Sequence, residues 1–498
     1  MPTFAQPAAV PPGAAAGRRV PTRRNTELFL LLFAFAVTVV LSAAAQAALI
    51  DTVRPDCLVL PLLVLLIGLV AHVVVRIFAP YADPVLLPLA MLVNGLGVVF
   101  IHRVDVPSEI MAQNDGRDLP TKYSTIGAFD GLGIQQVAWT ALAVIFFCLV
   151  VAVVRDHRSL SRYAYTLGLV GIVLVAIPAV LPASMSATNG AKVWIKLPFF
   201  AIQPGELAKL ALFVFFAYYL VRKREVLSLA SKRVLGLEFP RPRDLGPVIV
   251  VWIMSVLILV FEKDLGSSLL YLGTFVVMLY IATERKSWLV IGFVLFAFGA
   301  FAAYSLGTWL GPFQNFHDRV DIWLDPMSDP LNTTFQLSRS LISLSVGGLF
   351  GAGPGAGDPT SVPLARSDFI IATIGEELGM FGLAAILLLY LLITVRGIKA
   401  GTVVRDPFGK LLAGGLAFSM SIQVFVIVGG VTDLIPLTGL TTPFLSYGGS
   451  SLVANWILVG LLIRISNDAR RPTPAGTTGG PGGPPPQLQS AATEVIKL

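Results

Sequence analysis

The stretch "ARSDFIIATIGEELGMFG", Ala365 to Gly382, sets Asp368 beside an apolar run and Glu376 and Glu377 inside it. A carboxylate in apolar surroundings can accept a proton, pair with a cation or cap a helix. An ionisable group within a membrane span is, by default, a functional-site hypothesis. With a helix starting at Phe369, Glu376 lies about 12 Å beyond Asp368 and about 80° around the axis, so the two share a side, while Glu377 faces another neighbour. Asp368 equally suits the N-cap of that helix, satisfying its first free N–H groups. Glu376 and Glu377 equally suit a structural pairing with a buried lysine that knits helices together.

Three further groups carry chemistry. In "QPGELAKLALF", Pro204 can open a helix, and Glu206 and Lys209, three apart on one face, can pair with each other. In "FEKDLGSSLL", Glu262, Lys263 and Asp264 interrupt apolar sequence at a turn, and a plain polar hairpin would read the same way. "LIPLTGLTTPFLSYGGSSLVANW" gathers Pro436, Gly439, Pro443, Gly448 and Gly449 around small hydroxyls, a composition suited to irregular backbone lining a cavity. Other chemistry is not indicated. The glycine run 347–357 lacks the Gly-Lys-Ser/Thr ending of a phosphate loop and does not follow a strand. His72, His102, His157 and His317 are too scattered for a zinc site, and no serine nucleophile elbow occurs.

The elements that must position these residues are apolar blocks of about 20 residues, the length that crosses roughly 30 Å of hydrocarbon. With 55% hydrophobic and 13% charged residues, the 498-residue chain falls far short of the charge of a soluble domain. The blocks are 27–49, 57–78, 84–101, 134–154, 164–185, 203–220, 246–262, 266–283, 288–306, 369–395, 409–431 and 446–465. The expectation is an all-α polytopic membrane protein of about twelve transmembrane helices. Lys and Arg near the helix ends gather on alternate loops, from Arg18, Arg19, Arg23 and Arg24 through Arg222 to Arg243 and on to Arg470 and Arg471, so both ends are expected in the cytoplasm. The net charge of +7 then lies mainly beside the lipid bilayer and is no argument for nucleic acid.

Tails 1–26 and 466–498, rich in Ala, Pro, Arg and Gly, are expected to be disordered. Between them stand two N-terminal helices, 27–83, and a core, 84–465. Two outer connections stand out, about 186–203 and about 307–368. The second contains "DRVDIWLDP" and "FQLSRSLISLSVGGLF", whose amphipathic spacing predicts short helices on the outer surface.

The combination "NGAKVWI", "QPGELAK", "DLGSS", "RVDIWLDP", "SDFIIATIGEELG" and "PLTGLTTPFLSYGGSS" resembles the SEDS family of RodA- and FtsW-type proteins. The likeness runs from about Pro84 to Ile465, and the two extra helices resemble the longer actinobacterial members. The resemblance implies an inverting peptidoglycan glycosyltransferase of the bacterial cell membrane. Such an enzyme polymerises lipid II on the outer face during elongation, beside a class B penicillin-binding protein. It implies Asp368 as catalytic base and Lys192, Glu206, Lys209, Lys263, Asp264, Arg319, Gln336, Arg366, Glu376 and Ser446 as substrate contacts. No cofactor is called for, with a divalent cation left open. Val193, Lys263, Gly205 and Ile427 depart from the family pattern of Arg, Pro, Ser and Asn, which unsettles the pyrophosphate map; Arg319 keeps its place and ranks above Lys192. A flippase for lipid-linked precursors and a scaffold for the crosslinking partner are the alternatives.

Overall fold

A computed structural model describes residues 22–111, 131–188, 191–196, 201–228, 230–234, 237–241 and 245–472. Most of both tails, and the acid-rich stretch 112–130, lie outside them. The helices are α1 Arg24–Ile50, α2 Val59–Phe78, α3 Leu86–Met111, α4 Leu132–Val153, α5 Ala164–Val180, the single turn α6 Ala183–Ser186, α7 Pro204–Leu227, α8 Gly246–Phe261, α9 Leu265–Thr283, α10 Ser287–Gly307, α11 Gly311–Leu324, α12 Phe335–Gly347, α13 Ile370–Val403, α14 Pro407–Val431 and α15 Gly449–Arg470. Among the described residues eleven helices are long and apolar enough to cross a membrane. The twelfth expected block is α8, which at 16 residues spans less. The protein is a polytopic helical membrane protein. Helix α1 starts at Arg24 and α15 runs to Arg470, so both take in residues expected in the tails.

Helices α3, α7, α9, α14 and α15 form the interior, and α1, α5 and α10 turn most of their surface outward. Apolar side chains gain little by leaving lipid for one another, so close packing and buried hydrogen bonds hold such bundles. Here the Trp456 indole N–H donates to Asn94 Oδ1 at 3.0 Å, and Asn94 Nδ2 donates to Thr140 Oγ1 at 3.0 Å, tying α15, α3 and α4 together. The Trp456 ring meets Phe147 and Phe444 edge-on. Among the described residues the connections carry three small antiparallel hairpins: β1 Ala187–Thr188 with β2 Ala191–Lys192, β3 Ile195–Lys196 with β4 Ala201–Ile202, and β5 Ala230–Val234 with β6 Leu237–Pro240. The 307–368 connection holds α11 and α12, as its amphipathic spacing predicts.

Helix α13 breaks at Gly379, whose φ of 67° and ψ of −171° are not helical. The glycine run 347–357 explains how the freed backbone is satisfied. Met380 N–H donates to Gly348 O at 3.0 Å and Phe381 N–H to Leu349 O at 3.2 Å, while Ala352 and Gly353 donate to Glu376 O and Glu377 O at 2.8 and 3.0 Å. The backbones approach so closely that a Cβ on Gly351 would stand 2.3 Å from Glu377 O, and one on Gly347 2.1 Å from Gly375 O. Irregular backbone within a bilayer is tolerated where protein groups satisfy it, and these glycines permit that.

Candidate active site

One end of the bundle holds a cavity of about 580 Å³, walled by α11, the start of α12, the approach to α13, and the end of α14 with the irregular segment that follows it. Its charged lining consists of Asp318, Arg319, Asp321 and Asp368; Asn315, Gln336, Thr333, Thr334 and Thr438 add polar groups, and Ile427 and Leu440 an apolar floor. Helix α11 is built for this wall. Its apolar face, Phe313, Phe316 and Val320, packs on Ala303 of α10 and Leu265 of α9, which turns Asn315, Asp318 and Arg319 to the cavity. Trp323 Nε1 donates to Asp433 O at 3.0 Å, fixing its far end.

Asp368 lies two residues before α13, whose N-cap is Phe369 without a side-chain cap bond, so Asp368 is not the capping residue. Its backbone is clamped. Ser446 Oγ donates to Ser367 O at 2.6 Å and accepts from Thr442 N–H at 2.8 Å, and Tyr447 N–H donates to Arg366 O at 2.8 Å. Leu364, Lys263, Asp433 and Phe444, all near this end, have positive φ although none is glycine. Such strain persists where surrounding structure over-determines it, as it does at working sites.

Electrostatically the centre is Asp264, Arg319 and Asp368. Burial pushes the Asp368 carboxyl above the usual carboxylate range, against the Ser367 hydroxyl and Arg319, with Asp264 adding to the rise. Burial lowers the Arg319 guanidinium from its ordinary value, with Asp264 and Asp368 opposing. Arg319 Nη1 donates to Leu437 O at 2.6 Å. Asp264 caps α9 by accepting from Ser267 N–H at 3.0 Å and Ser267 Oγ at 2.6 Å. Its carboxyl is raised by burial, against those bonds and Arg319. Neighbouring Glu262 is pushed up to about 9 by burial, with Asp264 adding to it, so it is neutral at pH 7.

Of the residues the sequence singled out, Asp368, Arg319 and Gln336 line the cavity, and Asp264 acts on the first two through its charge. The others do not line it. Glu206 and Lys209 are buried on α7 and paired at 2.6 Å, with Lys209 Nζ also donating to Gln423 Oε1 at 3.0 Å. Glu376 accepts from Ser343 Oγ at 2.7 Å and Asp358 N–H at 2.8 Å, so both its oxygens are engaged. Glu377 pairs with Arg103 at 3.0 Å; the partner of the tandem glutamates is an arginine of α3 and not a lysine. Ser446 is a backbone clamp. Lys263 lies in the turn between α8 and α9, Lys192 of β2 meets that turn by donating its N–H to Glu262 O at 2.9 Å, and Arg366 is exposed beside Asp368. Asp318, Asp321 and Thr438 lay within the motifs quoted above, and Asn315 had no signal of its own. Among the described residues the one group of His, Cys, Asp or Glu that could share a metal ion is Asp156, His157 and Asp468. It lies on other elements, and His157 already contacts Asp406 and Asp468 at 2.8 Å each.

The fold and the cavity define a polytopic membrane protein that holds a half-buried carboxylate and an arginine in a pocket at one end of its helices. The model of the FtsW, RodA and SpoVE cell cycle proteins matches residues 84–471, and the chain belongs to that family. It is 49% identical over 453 residues to the peptidoglycan glycosyltransferase RodA of Mycobacterium tuberculosis, covering 91% of this chain and 92% of that one. The Mycobacterium leprae protein of the same name is 47% identical over the same span. Among solved structures, one described as the structural coordination of polymerization and crosslinking by a peptidoglycan synthase complex aligns with a TM-score of 0.60 at 25% identity, covering 78% of this chain and 99% of that one. The fold is also that of Thermus thermophilus RodA, with a TM-score of 0.52 at 23% identity.

Proposed function

We propose that the protein is a peptidoglycan glycosyltransferase that polymerises lipid II into glycan strands, with Asp368 as the base. The observation that carries this is a carboxylate raised by burial, held on a clamped loop and facing a cavity it shares with Arg319. A carboxylate at its usual value of about 4 is a weak base, and a raised one is better matched to taking a proton near neutrality. Asp368 accepts the proton of the acceptor sugar hydroxyl as its oxygen bonds to the anomeric carbon of the donor. The bond from that carbon to the polyprenyl pyrophosphate breaks on the opposite face, and the pyrophosphate leaves with the electron pair. Arg319 offsets the negative charge that gathers there, most strongly where water is excluded. The deeper Glu206 and Lys209 are tied to each other and to Gln423, which supports polymerisation over a polar transit path for lipid.

The cavity opens on the end opposite the cation-rich connections, such as those holding Arg285, Lys286, Lys399 and Arg405, and the bias of cations toward the cytoplasm supports its facing the outer side of the cell membrane. A class B penicillin-binding protein is the expected partner that crosslinks the strands, consistent with the synthase complex of the structural relative. Purified protein with this partner, crosslinking blocked, is expected to form glycan chains from lipid II. Asp368→Asn is expected to lose about a hundredfold or more in rate. An Asp368→Asn protein as fast as the parent would remove the assignment.

A further inference from the structure

Helices α1 and α2 precede the family match, yet α1 touches the machinery that holds Asp368. The contact is at Gly355, which has a φ of +84° and lies so near α1 that a Cβ on it would stand 2.5 Å from Ala45 O and 3.0 Å from Ala48 Cβ. Both polar groups of Gly355 are committed. Its N–H donates to Glu377 Oε2 at 2.8 Å, and its carbonyl accepts from Arg103 Nη2 at 2.8 Å. Arg103 Nη2 also donates to Gly357 O at 2.8 Å, and its Nε pairs with Glu377. One residue on, Asp358 N–H donates to Glu376 Oε1. The turn 355–358 is therefore stitched to two successive carboxylates of α13, with α1 as its outer wall.

From this bracket the chain runs through buried Val362 and Ala365 to Asp368 and then into α13, which returns to the same two glutamates. Asp368 hangs on a loop closed at its base by the bracket and pinned near its tip by Ser446 and Tyr447. Arg103 and Glu377 are 3% and 1% exposed, so water cannot replace a lost contact, and breaking one partner of a buried pair is strongly unfavourable. A displacement of α1 presses directly on the Gly355 backbone, with no side chain between to absorb it.

We infer that the extra helix α1 is a positioning element of the active site: Ala45 and Ala48 form the wall that seats the 355–358 turn, and through the Arg103, Glu376 and Glu377 bracket they set the loop carrying Asp368. This rests on the glycosyltransferase reading above. The additional N-terminal pair then serves catalysis from outside the family core, through small residues whose enlargement misplaces the base.

The test is lipid II polymerisation by the purified full chain with its partner, comparing parent, Asp368→Asn, Ala45→Leu/Ala48→Leu and Val40→Phe, with thermal unfolding in parallel. The leucine variant is expected to lose about tenfold or more in kcat, since sub-ångström misplacement of a catalytic group has effects of that order, with KM for lipid II within about twofold. The acid limb of its pH–rate profile should move, because the surroundings of Asp368 change. Val40→Phe, an enlargement on the outward side of the same helix where Val40 is 68% exposed, should keep the parental kcat and profile, which a general loss of helix packing would not allow. A folded leucine variant with parental kcat and profile overturns the inference while leaving the glycosyltransferase reading intact; an active Asp368→Asn protein, or an inactive parent, removes that reading itself. Should the double leucine variant not fold, Ala48→Leu alone, at an exposed position, is measured in the same way, and parental behaviour there is equally fatal.

Discussion

Arg319 sets the charge balance of the cavity, because it is the cation that acts on both Asp264 and Asp368. Its positive charge holds the Asp368 carboxyl lower than burial alone would leave it. Removing it by Arg319→Ala lets that carboxyl rise further, so the ionised base appears only at higher pH and the acid limb of the polymerisation rate moves upward. The plateau should also fall by about a hundredfold, the scale of losing one preorganised partner to developing charge. Arg319→Lys keeps the charge but loses the planar fork that reaches Leu437 O, so it should show a smaller fall and little movement of the limb. Rates measured from pH 5 to 9 check this; an acid limb that stays in place in Arg319→Ala would show that the two groups do not act on each other. Arg319 and Asp368 were legible in the sequence because each stands in a distinctive run. Glu376 stood out too, but its partners did not, because Ser343 and Asp358 are 33 and 18 positions away and nothing local names them.

At the level of elements, α13 matters most, since one helix carries Asp368 at its mouth, the glutamate bracket in its first turns and a break at Gly379. The break is where the glycine run lies against it, and a Cβ on Gly379 would meet Gly351 N at 2.3 Å in addition to the strain of a positive φ. Gly379→Ala is therefore expected to destabilise the protein by roughly 1–3 kcal/mol from backbone strain alone, and by more if the strand of glycines is displaced. Thermal unfolding in detergent reads the loss; an unchanged midpoint would mean that the break is a pliable bend. The length of the apolar runs made the membrane helices legible, but the continuous span expected over 369–395 hid the break, because one glycine in an apolar run is tolerated in any membrane helix. The run 347–357 was readable only by what it lacked. Its use, close backbone approach to a segment more than 20 residues later, depends on two stretches that meet only in the folded chain.

Across the whole molecule the helices are turned by apolar length and oriented by charge, and these are separate forces. Burial decides that α3 and α15 are central and α10 peripheral; it says nothing about which end faces the cytoplasm. The proposed orientation rests on the cations, which gather at the turns joining α9 to α10 and α13 to α14, while the cavity lies at the other end. This predicts opposite accessibility for two exposed positions, Ser328 at the cavity and Lys399 near the end of α13. Ser328→Cys should react with a membrane-impermeant maleimide in intact cells, and Lys399→Cys only after the membrane is opened. The native thiols leave a low background, since Cys57 is buried and Cys148 lies within α4. Labelling of Lys399→Cys in intact cells, with Ser328→Cys protected, would invert the molecule and place the cavity where an outward-facing lipid-linked sugar cannot reach it.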